Sequence, residues 1–253
     1  MKKSNVFSRN LIFVVIFLVW YLAAKLGLWS TYVLPSPGHV WDAALNMLVK
    51  GELLSALAIS FRRICIGFGC SVLLAFLFSF LFVLHPGIRT NLDGLFNMLR
   101  HIPPISLIPL LILWFGIGET PKIIVIVMAS FFPILLNIDA GLAGCDKKLL
   151  EVGQVLGFSK SRQLQSIMLP YALPHILVGM RIGLGYSLRA IIGAEMVAAA
   201  NGLGYLILDS QAMSRSDKVI VGILFIGILG LLIDGVFSLV IKHLVPYSQE
   251  IGK

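Results

Sequence analysis

The sequence predicts an all-α, polytopic membrane protein with about six transmembrane helices. Three observations carry this prediction. The 253 residues are 58% hydrophobic and only 13% charged, whereas soluble domains are about 45–50% apolar and about a quarter charged. Mean hydropathy is +0.95. The apolar residues fall in runs of about 20 separated by charged connections, which is the length of a membrane helix; barrel strands are about half as long and alternate in polarity.

Charge and chemistry narrow the function classes. The net charge of +8 would point to nucleic acid in a soluble domain. In a membrane chain, Lys and Arg gather on cytoplasmic loops instead, so a lipid bilayer is the expected partner and nucleic acid is not. Cys65, Cys70 and Cys145 make an odd count, with two of them in an apolar run, so neither a disulfide framework nor a zinc site is expected. The five histidines lack metal-ligand spacing.

In chain order, the basic start MKKSNVFSRN precedes LIFVVIFLVWYLAAKLGLW. This apolar run is long for a signal peptide and is followed by no small-x-small cleavage site, so Leu11–Trp29 reads as a retained first span. Between Ser30 and Leu57, Pro35 and Pro37 mark a break, and an amphipathic helix is expected over about His39–Val49. Trp29, Tyr32 and Trp41 suit an interface belt. The second span is expected at about Ile64–Leu84, with Arg62 and Arg63 snorkelling to the outer interface. The third, Ile102–Phe115, is short and proline-interrupted, and is expected to extend back through Leu95–Leu99. The fourth covers about Ile123–Ala140, the fifth Ile176–Ala200 and the sixth Val219–Ile241.

With the N-terminus in the cytoplasm, eleven Lys and Arg residues face that side, Lys2, Lys3, Arg9 and Lys253 among them, against seven on the other. That is the direction of the positive-inside rule.

One segment does not look like membrane: EVGQVLGFSKSRQLQSIMLPYALP, Glu151–Pro174, on the cytoplasmic side. Leu149, Val152, Val155 and Leu156 have helical spacing, Gly157 is placed to end that helix in a left-handed conformation, and Ser159 is placed to cap a second. The second helix should run to Met168, with Pro170 and Pro174 stopping or bending it where the fifth span starts. Two capped helices around a tight turn favour a docking element over an ordinary loop.

The pattern resembles the cytoplasmic signature of permease subunits of binding-protein-dependent ABC importers: E-A-A, three residues, G, nine residues, I-x-L-P. Here it reads Glu151-Val152-Gly153, Gly157, then Ile167-Met168-Leu169-Pro170, with every spacing kept. Val152-Gly153 departs from the usual two alanines, and Gly at 153 weakens a helix by up to about 1 kcal/mol relative to Ala. HIPPISLIPLLILWFGIGE at 101–119 and AEMVAAANGLGYLI at 194–207 resemble the branch that imports aliphatic sulfonates, taurine, nitrate and related small anions. That branch also contains permeases for thiamine-precursor pyrimidines, so it does not fix a substrate. The resemblance covers roughly Ser60 to Tyr247.

This resemblance implies a type I importer transmembrane domain over 58–245, preceded by an N-terminal span and external linker helix at 1–57. Coupling helices are expected at 146–170, in a multi-pass protein of the bacterial cytoplasmic (inner) membrane. It also implies a separate ABC ATPase subunit that binds the ATP, an extracytoplasmic solute-binding protein, and a second permease copy in a homodimer. The expected ATPase-coupling residues are Glu151, Gly157, Phe158, Ser159, Lys160, Ile167, Leu169 and Pro170. The chain carries no G-x-x-x-x-G-K-[ST] motif, so it is not expected to hydrolyse ATP; no His/Asp/Glu/Ser cluster in the spans resembles a catalytic set, and no enzyme activity, cofactor or metal of its own is expected. A stand-alone secondary transporter or channel is the alternative; it would show inverted repeats, and only the Pro103-Pro104 break hints at one.

The fifth span contains Arg181, Arg189 and Glu195. Ionisable groups in a span normally face protein or a water-filled cavity. Two readings stay open for Arg189 and Glu195: they line the translocation path, or they pair with neighbouring helices and fix packing. The glycines of Gly179-Met-Arg-Ile-Gly183 and Gly222, Gly227 and Gly230 are expected to let helices approach closely.

Overall fold

The computed structural model describes residues 4–244, with side chains from residue 11 onward, and every regular element among them is helical. Lys2, Lys3 and Lys253, used above for orientation, and the side chain of Arg9 lie outside the described residues. The elements are α1 (Ser4–Lys25), α2 (Pro37–Val49), α3 (Glu52–Leu84), α4 (Pro86–His101), a 3₁₀ turn (Pro104–Leu107), α5 (Ile108–Phe115), α6 (Glu119–Ala143), α7 (Lys147–Val155), α8 (Lys160–Gln163), a π turn (Leu164–Met168), α9 (Leu169–Ala198), α10 (Leu203–Ala212) and α11 (Ser216–Leu244).

Four helices are long and apolar enough to cross a membrane alone: α3, α6, the continuous Lys160–Ala198 helix and α11. The pair Pro86–His101 and Pro104–Phe115 would make a fifth but is bent by 90°. The proline interruption expected in the third span is therefore a sharp bend, which sets the stretch reaching back through Leu95–Leu99 on a separate helix. Pro103 and Pro104 lack the N–H donors a helix needs there, and they hold Ile102 extended at φ −80, ψ 119. The apolar helix α1 supplies the remaining candidate.

Two other boundaries move. The helix that carries the second span already starts at Glu52, because Gly51 takes a left-handed conformation (φ 74) between α2 and α3, and it runs unbroken to Leu84. The helix of the fifth span does not begin after Pro170 and Pro174 but runs unbroken from Lys160. In the π turn before Pro170, the Leu169 N–H bonds back to the Leu164 carbonyl, and this wider turn relieves the clash a proline ring makes with the preceding turn.

α6 and α9 form the antiparallel centre, closely packed at glycines. A Cβ on Gly179 would lie 2.5 Å from Asn137 Cβ, and one on Gly183 2.6 Å from Ile134 Cγ1, so the expected close approach is observed. α3 lies parallel to α6, with Gly67 against Ile126 and Ser71 hydrogen-bonded to Ser130. Gly222 likewise admits Ile207 of α10, whereas Gly227 faces open space. One apolar core gathers α2, α3, α5, α6, α9, α10 and α11. A second, rich in Phe, gathers α3, α4, α6 and the start of α9. The bundle thus has a Glu119 end and a Gly157 end.

Candidate functional site

At the Gly157 end, local chemistry builds a stiff turn. Asp146 caps α7 by accepting from the Lys148 N–H at 2.9 Å. Gly157 sits at φ 74; its N–H donates to the Gln154 carbonyl and the Phe158 N–H to the Gly153 carbonyl, both at 2.9 Å. This is the Schellman closure expected of a helix ending in glycine. Ser159 then accepts from the Arg162 N–H at 3.3 Å and starts α8. The turn is braced from within: Gln163 Nε2 donates to the Phe158 carbonyl, and the Arg162 guanidinium stands 4.5 Å from the Phe158 ring centre.

The departure at Gly153 has a packing role. Gly153 is buried, and a Cβ there would meet Ile167 Cδ1 at 2.7 Å. A small residue at 153 lets α7 lie against the π turn, so Glu151–Pro170 is one packed unit. Ile167 and Leu169 are half-buried, while Glu151, Gly157, Ser159, Lys160 and Pro170 are exposed. The apolar stripe of α7 turns outward: Val155 is 88% exposed and Leu156 65%.

At the Glu119 end lies a cluster that the sequence reading missed. Arg63, expected to snorkel to water, is 1% exposed. Its Nε and Nη2 donate to Glu119 at 2.7 and 2.6 Å, and its Nη1 donates to Glu195 at 2.8 Å and to the Asn201 carbonyl at 2.9 Å. The correction has a simple cause: α3 turns Arg63 toward α6 and α9, while its neighbour Arg62 stays outside with 66% of its side chain exposed. Lys122 closes on Glu119 at 2.9 Å. Glu195 also receives Ser60 Oγ and the Gly204 N–H, and Ser60 in turn accepts the Leu203 N–H. Gly202, at φ 107, passes so close that a Cβ would fall 2.4 Å from the Glu195 carboxylate. The cluster therefore pins the α9–α10 turn to α3 and α6. A readable signal existed: Ser60, Arg63, Gly67, Ser71, Ala75 and Ser79 recur every three or four residues, the small-and-polar stripe of a helix face that meets protein rather than lipid.

The two path candidates separate. Glu195 is wholly enclosed and paired. Arg189 is exposed, 5.6 Å over the Tyr186 ring, and makes no ion pair among the described residues. Arg181 forms a two-pronged pair with Asp234 of α11. Among the described residues no three His, Cys, Asp or Glu side chains converge as metal ligands.

Comparison with known proteins gives a consistent picture. Residues 67–246 match the family model for the binding-protein-dependent transport system inner membrane component. The chain is 35% identical over 236 residues to a putative aliphatic sulfonates transport permease protein of Bacillus subtilis, covering 93% of this chain and 86% of that one. It is 33% identical to the taurine transport system permease protein of Escherichia coli (94% and 88% covered) and 30% identical to a nitrate import permease protein of Synechocystis (86% and 82%). Among solved structures, an inward-facing methionine ABC transporter aligns with TM-score 0.65 at 20% identity, over 79% of this chain and 97% of that one. An amino acid ABC transporter aligns with TM-score 0.67 at 17% identity, with the same coverage.

Proposed function

The chain belongs to the family of binding-protein-dependent transport system inner membrane components, and we propose that it is one half of the paired permease of an ABC importer, carrying a small anionic solute. Residues 1–57 then form an N-terminal span and external linker helix, and 58–245 the transmembrane domain. The protein crosses the bacterial cytoplasmic membrane with its Gly157 end inside. A separate ATPase subunit binds and hydrolyses ATP, and an extracytoplasmic binding protein delivers the solute to the Glu119 end.

The single observation that carries this reading is the capped turn at 146–170 with its outward apolar stripe. Val155 and Leu156 stand exposed on a segment outside the spans, and apolar surface of that kind is what a partner protein covers. The stiffness matters as much as the surface. A floppy loop would absorb movement of the ATPase, whereas a turn closed by Gly157, Ser159 and Gly153–Ile167 packing moves as a body. It runs without interruption into the helix that crosses the bundle, so a displacement at Phe158–Lys160 is passed along α9. Glu151, Lys160 and Pro170 supply the polar and rigid rim of the same surface.

For substrate we assign the class shared by the relatives' names, a small solute bearing a sulfonate or nitrate-like anionic group. Arg189 is the path residue in this reading, and Glu195 is a packing residue.

Co-expression with the cognate ATPase tests the assembly. Gly157→Pro and Glu151→Lys should each leave the chain in the membrane but lose the ATPase on purification. Retention of the ATPase by both variants overturns the coupling assignment.

A further inference from the structure

Where α4 meets the 3₁₀ turn, the bend leaves a cavity of about 310 Å³, lined by Arg100, His101, Pro104, Phe132, Tyr186 and neighbouring apolar side chains. That volume is within the range of small-molecule sites. Its depth follows from α6: Phe132 lies about 17–20 Å from either end of that helix along its axis, so the cavity sits near mid-membrane. Helix breaks at that depth, with irregular backbone facing a cavity instead of lipid, are where membrane carriers hold solutes.

The break is seated deliberately. A Cβ on Gly193 would meet Ile105 Cδ1 at 2.5 Å and Cγ1 at 3.2 Å, so the glycine lets the 3₁₀ turn pack closely against α9 there. Gly193 is one helical turn from Arg189, and this contact holds Arg189 and the break at one level.

The charges are one-sided. The lining contains Arg100 and His101 and no carboxylate. Arg181, elsewhere on α9, is neutralised by Asp234, and Arg63 by Glu119 and Glu195. Arg100 and Arg189 make no ion pair among the described residues. An arginine at this depth is costly in contact with lipid and stands instead against protein or water. Tyr186 is the α9 residue that lines the cavity, and Arg189, itself outside the lining, stands 5.6 Å from the Tyr186 ring centre. Stacking of that kind orients the guanidinium and leaves its N–H fork free for an oxyanion.

We propose that the cavity at the α4–α5 break is a binding station for one small monovalent oxyanion, held by Arg189 and the Tyr186 hydroxyl from α9 and by Arg100 and His101 from α4. The proposal rests on the permease reading for its role, because a solute released at the Glu119 end must pass this level, but binding itself can be measured without transport.

The test uses the purified permease–ATPase complex without binding protein, and equilibrium dialysis with radiolabelled ethanesulfonate and, separately, nitrate. At least one of the two should bind saturably. Arg189→Gln should weaken that binding by about tenfold or more, the loss of one charge-assisted contact, and Arg189→Lys should restore part of it. Arg181→Gln, on the same helix but paired away from the cavity, should bind as the parent does. A complex that binds neither anion overturns the proposal, and so does Arg189→Gln binding equal to the parent. In proteoliposomes supplied with the binding protein, failure to import any sulfonate or nitrate while Arg189-dependent binding persists sinks the substrate assignment and leaves the site standing.

Discussion

Removing Arg63 would leave Glu195 fully buried with only hydroxyl and amide donors around its charge. Breaking a buried pair from one side costs about 3–5 kcal/mol, so Arg63→Met should lower the unfolding midpoint of the detergent-solubilised chain sharply. Glu195→Gln should cost less, about 1–3 kcal/mol, because Glu119 still neutralises Arg63. Equal losses in thermal unfolding of the two variants would show that Glu119 carries no share of the pairing. Gly202→Ala belongs to the same cluster. It forces a side chain onto φ 107 and into the Glu195 carboxylate, and should destabilise by about 1–3 kcal/mol. Little of this was legible beforehand. Arg62 and Arg63 are adjacent in sequence and read alike; only the stripe from Ser60 to Ser79 says which one turns inward.

Among elements, the turn at Glu151–Pro170 was the most legible, since its determinants are local. Gly157 closes a helix and Ser159 opens one by hydrogen bonds spanning three to five residues. Gly153 was legible only as a weak helix former, and its contact with Ile167 gives it a use. Two substitutions separate propensity from packing. Gly153→Ala should be within about 1 kcal/mol of neutral, because the Cβ meets only the flexible end of Ile167. Gly153→Leu should lift α7 off the π turn, seen as faster proteolysis between residues 146 and 160 and as weaker ATPase recovery. The π turn itself was not legible: Pro170 and Pro174 signal a helix stop or bend, and only the wider turn seen in three dimensions carries the helix into Pro170, while Pro174 sits inside α9. The same limit applies to α4 and α5, where Pro103-Pro104 announced a break but not its 90° angle.

For the molecule as a whole, orientation is open to direct measurement. In a chain lacking Cys65 and Cys70, Gln211→Cys should react with an impermeant thiol reagent in right-side-out vesicles, and Lys148→Cys only after permeabilisation. Cys145 can stay, because it is buried and because burial, then neighbouring Asp146, pushes its thiol up. The reverse labelling pattern would invert the topology. By itself the sequence determined the membrane class, the helical content and the capped turn, since these depend on composition, on periodicity and on hydrogen bonds between near neighbours. The tertiary structure alone decided the fates of Arg189 and Glu195. They lie about 120° apart around one helix, and helical phase cannot say which side is covered. That choice is made by α3 and by the α9–α10 turn, which bring Ser60, Arg63 and Gly204 onto Glu195 and leave Arg189 open beside the break. Contacts between residues more than a hundred positions apart are set by how helices pack, and no local pattern encodes them.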